Sequence, residues 1–205
     1  MNASEIYKLY IEKNHPVCID SRSKEIKGSI FFAIKGDEFN GNNFAIEAIK
    51  KGAVAAIIDN PKIQHASCIL VEDVIETLQT IASIHRQKHQ IPIIAITGSN
   101  GKTTTKDILT KILESKYTTL STQGNFNNHI GLPITILSLR KKHEIAVIEM
   151  GANHVGEIKK LCEIAQPTHG IITNIGSAHI GEFGGIENII KAKNELFDYL
   201  KKNNK

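Results

Sequence analysis

IPIIAITGSNGKTTTKDI, residues 91–108, sets an apolar run, a glycine-bearing turn and a lysine–threonine helix start in direct succession. Proteins hold nucleotide phosphates in this order. Backbone N–H groups of a small-residue loop face the anion, and the following helix N-terminus adds a favourable dipole. The loop proper, Gly98-Ser-Asn-Gly-Lys-Thr-Thr104, is shorter than the general phosphate loop. The position of an outer glycine is held by Ile96, inside the expected strand. A bare glycine turn would account for Gly98 and Gly101. It would not account for Lys102 and Thr103 opening a helix on which Ile108, Leu109, Ile112 and Leu113 share one face. Gly98, Ser99, Asn100, Gly101, Lys102, Thr103 and Thr104 are therefore the expected binding loop for ATP or GTP. Lys102 would neutralise the β- and γ-phosphates and Thr103 would ligate Mg²⁺.

Working outward, the strand–loop–helix rhythm recurs. Strands are expected at residues 93–97, 145–150 and 170–175, and helices at 102–115, 156–165 and 185–201. These strands are apolar almost throughout, as parallel strands covered on both faces are. The upstream part predicts a helix over 4–13, apolar strands at 30–34, 53–59 and 67–71, and helices at 43–50 and 74–85. The fold class is thus α/β, a small N-terminal α/β domain followed by a phosphate-loop domain with a mostly parallel sheet. The polar run His85-Arg-Gln-Lys-His-Gln90 ends before Pro92 and reads as the boundary, because few apolar contacts would cross it. That places the domains at 1–88 and 89–205.

Composition sets bounds on function. The 205 residues are 41% hydrophobic and 22% charged, which suffices for a core. A net charge of +4, spread along the chain apart from a basic run at 201–205, suits anionic small molecules and gives little ground for nucleic-acid binding. No segment has the length of a membrane span and the first ten residues lack a signal-peptide shape, so the cytoplasm is the expected location. Cys18, Cys68 and Cys162 have neither zinc-ligand nor disulfide spacing, and Cys162 falls at helical spacing with Ile158, Leu161 and Ala165 as a small core residue.

Three rim residues stand out, because ligands in open α/β sheets sit at the C-terminal ends of strands. Glu149 ends an apolar strand. Alone it reads as a solvated charge, but after a phosphate loop in the same sheet it reads as a Mg²⁺ ligand. His179 follows the third strand at a similar position, either as a ligand or as a satisfied hydrogen-bonding side chain. Lys193 lies in a helix whose Ile186, Ile189, Ile190, Leu196, Phe197 and Leu200 form one stripe. Advancing about 100° per residue from Ile186 puts Lys193 inside that stripe and Lys191 opposite it. A lysine there either snorkels to the surface or has a buried polar task.

These motifs together resemble the Mur ligase family of peptidoglycan-precursor enzymes. The resemblance rests on TGSNGKTTT, Gly124-Asn-Phe-Asn-Asn-His-Ile-Gly-Leu-Pro133, Glu149-Met-Gly-Ala-Asn-His154 and Asn174-Ile-Gly-Ser-Ala-His179. Ala192-Lys193 with Glu195-Leu196 adds to it, as do the upstream Asp20-Ser-Arg22, Gly28-Ser-Ile-Phe-Phe-Ala33, Lys35-Gly36 and Gly52-Ala53. The resemblance covers essentially the whole chain. It implies a UDP-substrate-binding N-terminal domain and a central ATPase domain. It also implies a reaction in which a substrate carboxylate takes the γ-phosphate of ATP and an incoming amine then displaces phosphate. Within the family the motifs are most similar to the member that joins D-alanyl-D-alanine to UDP-N-acetylmuramoyl tripeptide. By the same resemblance Lys102, His179 and Lys193 are catalytic; Thr103, Glu149, His179 and a CO₂-carbamylated Lys193 are metal-associated; and Ser21, Arg22, Asn125 and Asn128 are on the substrate side. Asn40-Gly41 stands where the family often has Asp-Gly. The family has three domains, so the expectation is an incomplete central domain, with the C-terminal ligase domain supplied by the rest of a longer chain. Two other readings stay open: a non-catalytic fragment that binds substrate or phosphate, and a related ligase that adds a single amino acid.

Overall fold

The structure, a computed structural model, describes residues 1–12, 15–36, 38–176 and 180–205. The chain divides into two compact units, Met1–Ile84 and His85–Lys205.

In the first unit, strands β1 (Val17–Cys18), β2 (Ile30–Phe32), β3 (Ala55–Ile58) and β4 (Cys68–Leu70) form one sheet in sequence order, and each pairing is parallel. Residues alternate between faces along a strand. Phe31, Ala33, Ala56 and Ile58 accordingly pack in one cluster with Ala45 and Ala48 of α2 (Ala45–Lys50). The neighbours Ile30, Phe32 and Ile57 are equally buried, as are Ile6 and Tyr10 of α1 (Ala3–Glu12). Small alanines on α2 let that helix lie close to the sheet. Helix α3 (Val74–Lys88) buries Val74, Leu78, Ile81 and Ala82 at helical spacing.

The second unit contains β5 (Ile93–Thr97), β6 (Thr119–Ser121), β7 (Ile145–Glu149) and β8 (His169–Ile172) in the order β6-β7-β5-β8, again all parallel. Its helices are α4 (Lys102–Glu114), α5 (Gly131–Leu137), α6 (Glu157–Ala165), α7 (Ile180–Phe183) and α8 (Ile186–Lys202). Strand β5 sits between β7 and β8, which explains its nearly unbroken apolar run: Ile93, Ala95 and Ile96 are fully buried. The loop after β5 therefore leaves the middle of the sheet at its C-terminal edge, where parallel sheets bind ligands. Among the described residues no helix is long and apolar enough to cross a membrane.

Three sequence expectations are corrected here. The helix expected to end at residue 85 runs on into the polar run at 85–90, at whose start the two units divide. Helix α3 continues through Lys88, and His85 and Arg86 are buried. Arg86 Nε donates to Ala165 O at 2.8 Å and Nη2 to Gln166 O at 3.1 Å, and Nη1 also meets His89 O. A guanidinium set against the last carbonyls of α6 satisfies groups that a helix end leaves open. Second, α4 does not turn Ile108 and Ile112 inward. They are 57% and 63% exposed, while Lys106 and Thr110 are buried. Third, the buried row on α8 is Ile189, Ala192, Lys193, Leu196 and Leu200, with Ile186, Ile190 and Phe197 left partly exposed. The stripe is narrower than its apolar residues suggest, yet Lys193 stays within it. Cys162 is a core residue as expected. It is fully buried with its sulfur 3.8 Å from Met150 Sδ, and burial pushes its thiol up to about 12.

His85 gives this unit an acid-sensitive joint. Its Nε2–H donates to Leu139 O at 3.0 Å, and its ring lies 4.2 Å from that of His89. Burial lowers its pKa to about 4; the Leu139 bond opposes burial less strongly, and the nearby His89 and Arg140 add smaller downward effects. The unfolded chain takes up a proton near pH 6.5, which the folded chain refuses until about pH 4. Stability from this group is therefore complete above about 6.5 and falls as pH drops between these values. The loss should reach about 3 kcal/mol. Urea unfolding of the chain and of His85→Gln at pH 7 and pH 4.5 checks this; an equal pH response in both would contradict it.

Candidate active site

Gly98 opens the phosphate loop with φ +140°, and Gly101 caps α4 with φ +77°, both in the left-handed region that side chains avoid. At Gly98 space forbids a side chain as well, since an added Cβ would lie 2.0 Å from Thr173 Oγ1. The loop is clasped by the segment after β8. Ser99 N donates to Asn174 O at 3.0 Å, Asn100 N to Asn174 Oδ1 at 3.1 Å, and Thr173 Oγ1 to Asn100 O at 2.6 Å. Ser99 Oγ exchanges hydrogen bonds with the Gly176 backbone at 3.1 and 3.0 Å. The shape of the loop is thus held before any anion arrives, with the N-terminus of α4 behind it. Gly98→Ala should cost about 2 kcal/mol or more from backbone strain and the clash with Thr173. A denaturation midpoint equal to that of the unsubstituted chain would contradict the clasp.

Lys102 folds back on this loop, its Nζ donating to Gly98 O at 2.8 Å and Ser99 O at 3.1 Å. Burial lowers its pKa and the charge of Glu149 partly restores it. Glu149 ends β7 and is 2% exposed. One carboxylate oxygen accepts from Thr103 Oγ1 at 3.0 Å, the other from Asn127 Nδ2 at 2.8 Å. Its backbone N–H donates to Thr122 Oγ1 at 2.9 Å. Among the described residues no salt bridge neutralises it. A buried carboxylate beside a threonine hydroxyl, facing a phosphate loop, is a hard-oxygen donor set that fits Mg²⁺, which takes few protein ligands.

Lys193 does not snorkel. It is 3% exposed, with Nζ 3.4 Å from Ala152 O and 5.2 Å from the centre of the Phe183 ring. Burial, with the charge of Lys102 adding to it, lowers its amine to about 8, although Glu157 and Glu195 pull the other way. Glu195, two residues on, accepts from Gly156 N at 2.5 Å and Lys159 N at 2.9 Å, and so ties α8 to the start of α6. His179 lies outside the described residues.

The remaining expected residues divide. Asn128 Oδ1 accepts from Ile130 N and Gly131 N at 3.0 and 2.9 Å, so its carbonyl end caps α5. Asn125 is exposed on the same rim loop. In the first unit, Ser21 is buried and its carbonyl accepts from Lys51 Nζ at 3.1 Å. Arg22 is exposed and forks onto Asp20 at 2.9 and 3.0 Å, holding that carboxyl below its usual range. Sequence reasoning missed Asn127, Thr122 and Thr173. Asn127 sits between two asparagines that had been singled out, and only the fold shows which of the three turns to Glu149.

The Mur ligase middle domain matches residues 96–205, and the Mur ligase family catalytic domain matches residues 13–98. The UDP-N-acetylmuramoyl-tripeptide–D-alanyl-D-alanine ligase of Bacillus subtilis is 42% identical over 191 residues, which are 91% of this chain and 41% of that protein. Crystal structures of MurF from Acinetobacter baumannii (TM-score 0.85, 41% identity) and of MurF ligase from Thermotoga maritima in complex with ADP (0.84, 37%) superpose on 90% and 91% of the chain. These alignments cover 41% and 44% of those two chains. The chain therefore spans about two fifths of the length of the relatives it matches. With the middle-domain match alone taking in more than half of its residues, the chain belongs to the Mur ligase family.

Proposed function

We propose that this chain is the UDP-substrate- and ATP-binding part of a ligase that joins D-alanyl-D-alanine to UDP-N-acetylmuramoyl tripeptide. The observation that carries the reading is the alignment of Lys102, Thr103 and the buried Glu149 around one preformed phosphate loop. The names of the relatives point to this substrate pair rather than to a single amino acid.

In this reading ATP lays its phosphates along residues 98–104. Lys102 leaves the carbonyls of Gly98 and Ser99 and neutralises the β- and γ-oxygens. A substrate carboxylate attacks the γ-phosphorus, the bond to ADP breaks, and an acyl phosphate results. The dipeptide amine then adds to the acyl carbon, phosphate leaves, and the amine gives up a proton as the amide forms. Much of the rate comes from placing these groups in a site whose charges are already oriented. Thr103 and Glu149 would hold Mg²⁺, with Lys193 and His179 as further candidates, and the ion when bound offsets charge on the phosphates. Lys193 is suited to react with CO₂, because its buried amine is neutral over a wider pH range than an ordinary lysine. Attack on CO₂ with loss of a proton would turn a cation into an anionic oxygen donor. Ser21 and Arg22 in the first unit, and Asn125 and Asn128 in the second, are proposed for the UDP-muramoyl substrate. We place the domain limits at 1–88 and 89–205, and the site of action in the cytoplasm.

Calorimetric titration of the chain with UDP-N-acetylmuramoyl tripeptide tests the substrate assignment. Saturable 1:1 binding is expected, weakened in Arg22→Ala. No binding to the folded chain would contradict it.

A further inference from the structure

Lys106 is a buried cation that the mechanism leaves unused. It lies one helical turn beyond Lys102 and Thr103 on α4, is 5% exposed, and shares the buried face of the helix with Thr110. Its Nζ donates to Thr122 O at 2.9 Å and lies 3.0 Å from Asp107 Oδ1, whose carboxylate faces solvent.

The bond to Thr122 has a consequence for the sheet. β6 pairs with β7 in the register Ser121↔Val147, and Thr122 N donates to Val147 O at 3.1 Å. In a regular parallel ladder the Thr122 carbonyl would then accept from Glu149 N. Here that carbonyl is turned to Lys106, and Glu149 N is taken by the Thr122 hydroxyl. The ladder is broken at the residue where the chain leaves β6 for the rim loop. Five residues later that loop delivers Asn127, whose Nδ2 meets Glu149 and whose carbonyl accepts from Gly151 N at 2.8 Å. One lysine thus ends the strand, launches the loop, and leaves Glu149 held at its backbone by Thr122 and at its carboxylate by Asn127. Core filling alone would not require it, since an apolar side chain of similar length replaces a buried charge at little or no cost.

We propose that Lys106 is a positioning residue: by drawing the Thr122 carbonyl out of the ladder it sets the Glu149 carboxylate against Thr103. The proposal rests on the reading of Glu149 and Thr103 as the Mg²⁺-holding pair. Outer residues that orient metal ligands change metal affinity by about 10- to 100-fold when replaced. Lys106→Met keeps most of the side chain's length and removes its donors; Lys106→Gln matches Met in length and keeps an amide donor.

The test is titration of the chain with ATP, once with excess Mg²⁺ and once with EDTA, alongside thermal unfolding. Lys106→Met should weaken MgATP about tenfold and leave metal-free ATP unchanged. Thr122→Val should act the same way, and the double variant should fall short of the sum of the two effects. Equal loss with and without Mg²⁺, no loss, or failure of both Lys106 variants to fold would make Lys106 a structural residue only and overturn the proposal. An unsubstituted chain that binds ATP identically with and without Mg²⁺ would instead overturn the metal-pair reading, and the proposal with it.

Discussion

Lys102→Ala should weaken MgATP binding about a hundredfold, the worth of roughly 3 kcal/mol for a charge-assisted contact in a partly dry site. In any form of the protein that turns over, it should abolish acyl-phosphate formation. The reason is geometric as well as electrostatic. The amine already sits within the loop, bonded to the Gly98 and Ser99 carbonyls, so it reaches an arriving phosphate by exchanging acceptors. Its charge is held in surroundings that lower its pKa, and the β- and γ-oxygens relieve that cost. Because the clasp from Thr173, Asn174 and Gly176 does not involve the lysine side chain, the variant should keep its fold. Calorimetry and thermal unfolding on the same sample separate the two effects. Near-normal affinity in a folded Lys102→Ala chain would remove the lysine from the site.

Lys193→Ala has the second largest expected effect. In a form that turns over, activity should fall about a hundredfold, as for loss of a metal-associated oxygen donor. Formate or acetate should restore part of it by occupying the space of the lost carbamate. On the present chain the proposed modification has a direct test. With ¹³C-bicarbonate, a carbamate carbon resonance should appear in the unsubstituted chain and be absent in Lys193→Ala. The pH response has a fixed sign. The amine is displaced downward to about 8 by burial and by the charge of Lys102, so its neutral, nucleophilic form grows as pH rises through that value. Carbamate occupancy at constant CO₂ should increase over the same interval. Full activity without rescue, or an equal resonance in the alanine variant, would contradict the assignment.

Much of the candidate site's position was legible because parallel sheets write it plainly. The run at 93–97 reads as a buried strand and is one, to the residue. Glu149 is found at a strand end and Lys193 within a buried stripe, since both inferences need only local periodicity. What escaped depends on long-range contacts. Strands β1 and β6 are two and three residues long and carry no period of their own. Helix α5, with Pro133 near its start, was hidden inside what reads as a substrate loop. The stretch at 85–90 reads as a boundary because its residues are polar. Yet carbonyls more than fifty residues away accept from His85 and Arg86, and no local pattern announces them. The same holds for Lys106: its acceptor is the Thr122 carbonyl, which leaves the β6 ladder and is visible only once the register is known. Asn127 could not be told from Asn125 and Asn128 by composition, because asparagines in glycine-rich segments share a turn-forming tendency.

In the proposed site, ATP phosphates lie along residues 98–104, between Lys102 and Glu149. Amide ¹H–¹⁵N spectra of the labelled chain with and without MgATP test it at the residues concerned. The amides of 98–104 should shift together with those of Thr173 and Asn174, which clasp the loop, and Lys102→Ala should suppress the change. Saturable binding whose shifts fall elsewhere and leave 98–104 unmoved would contradict it.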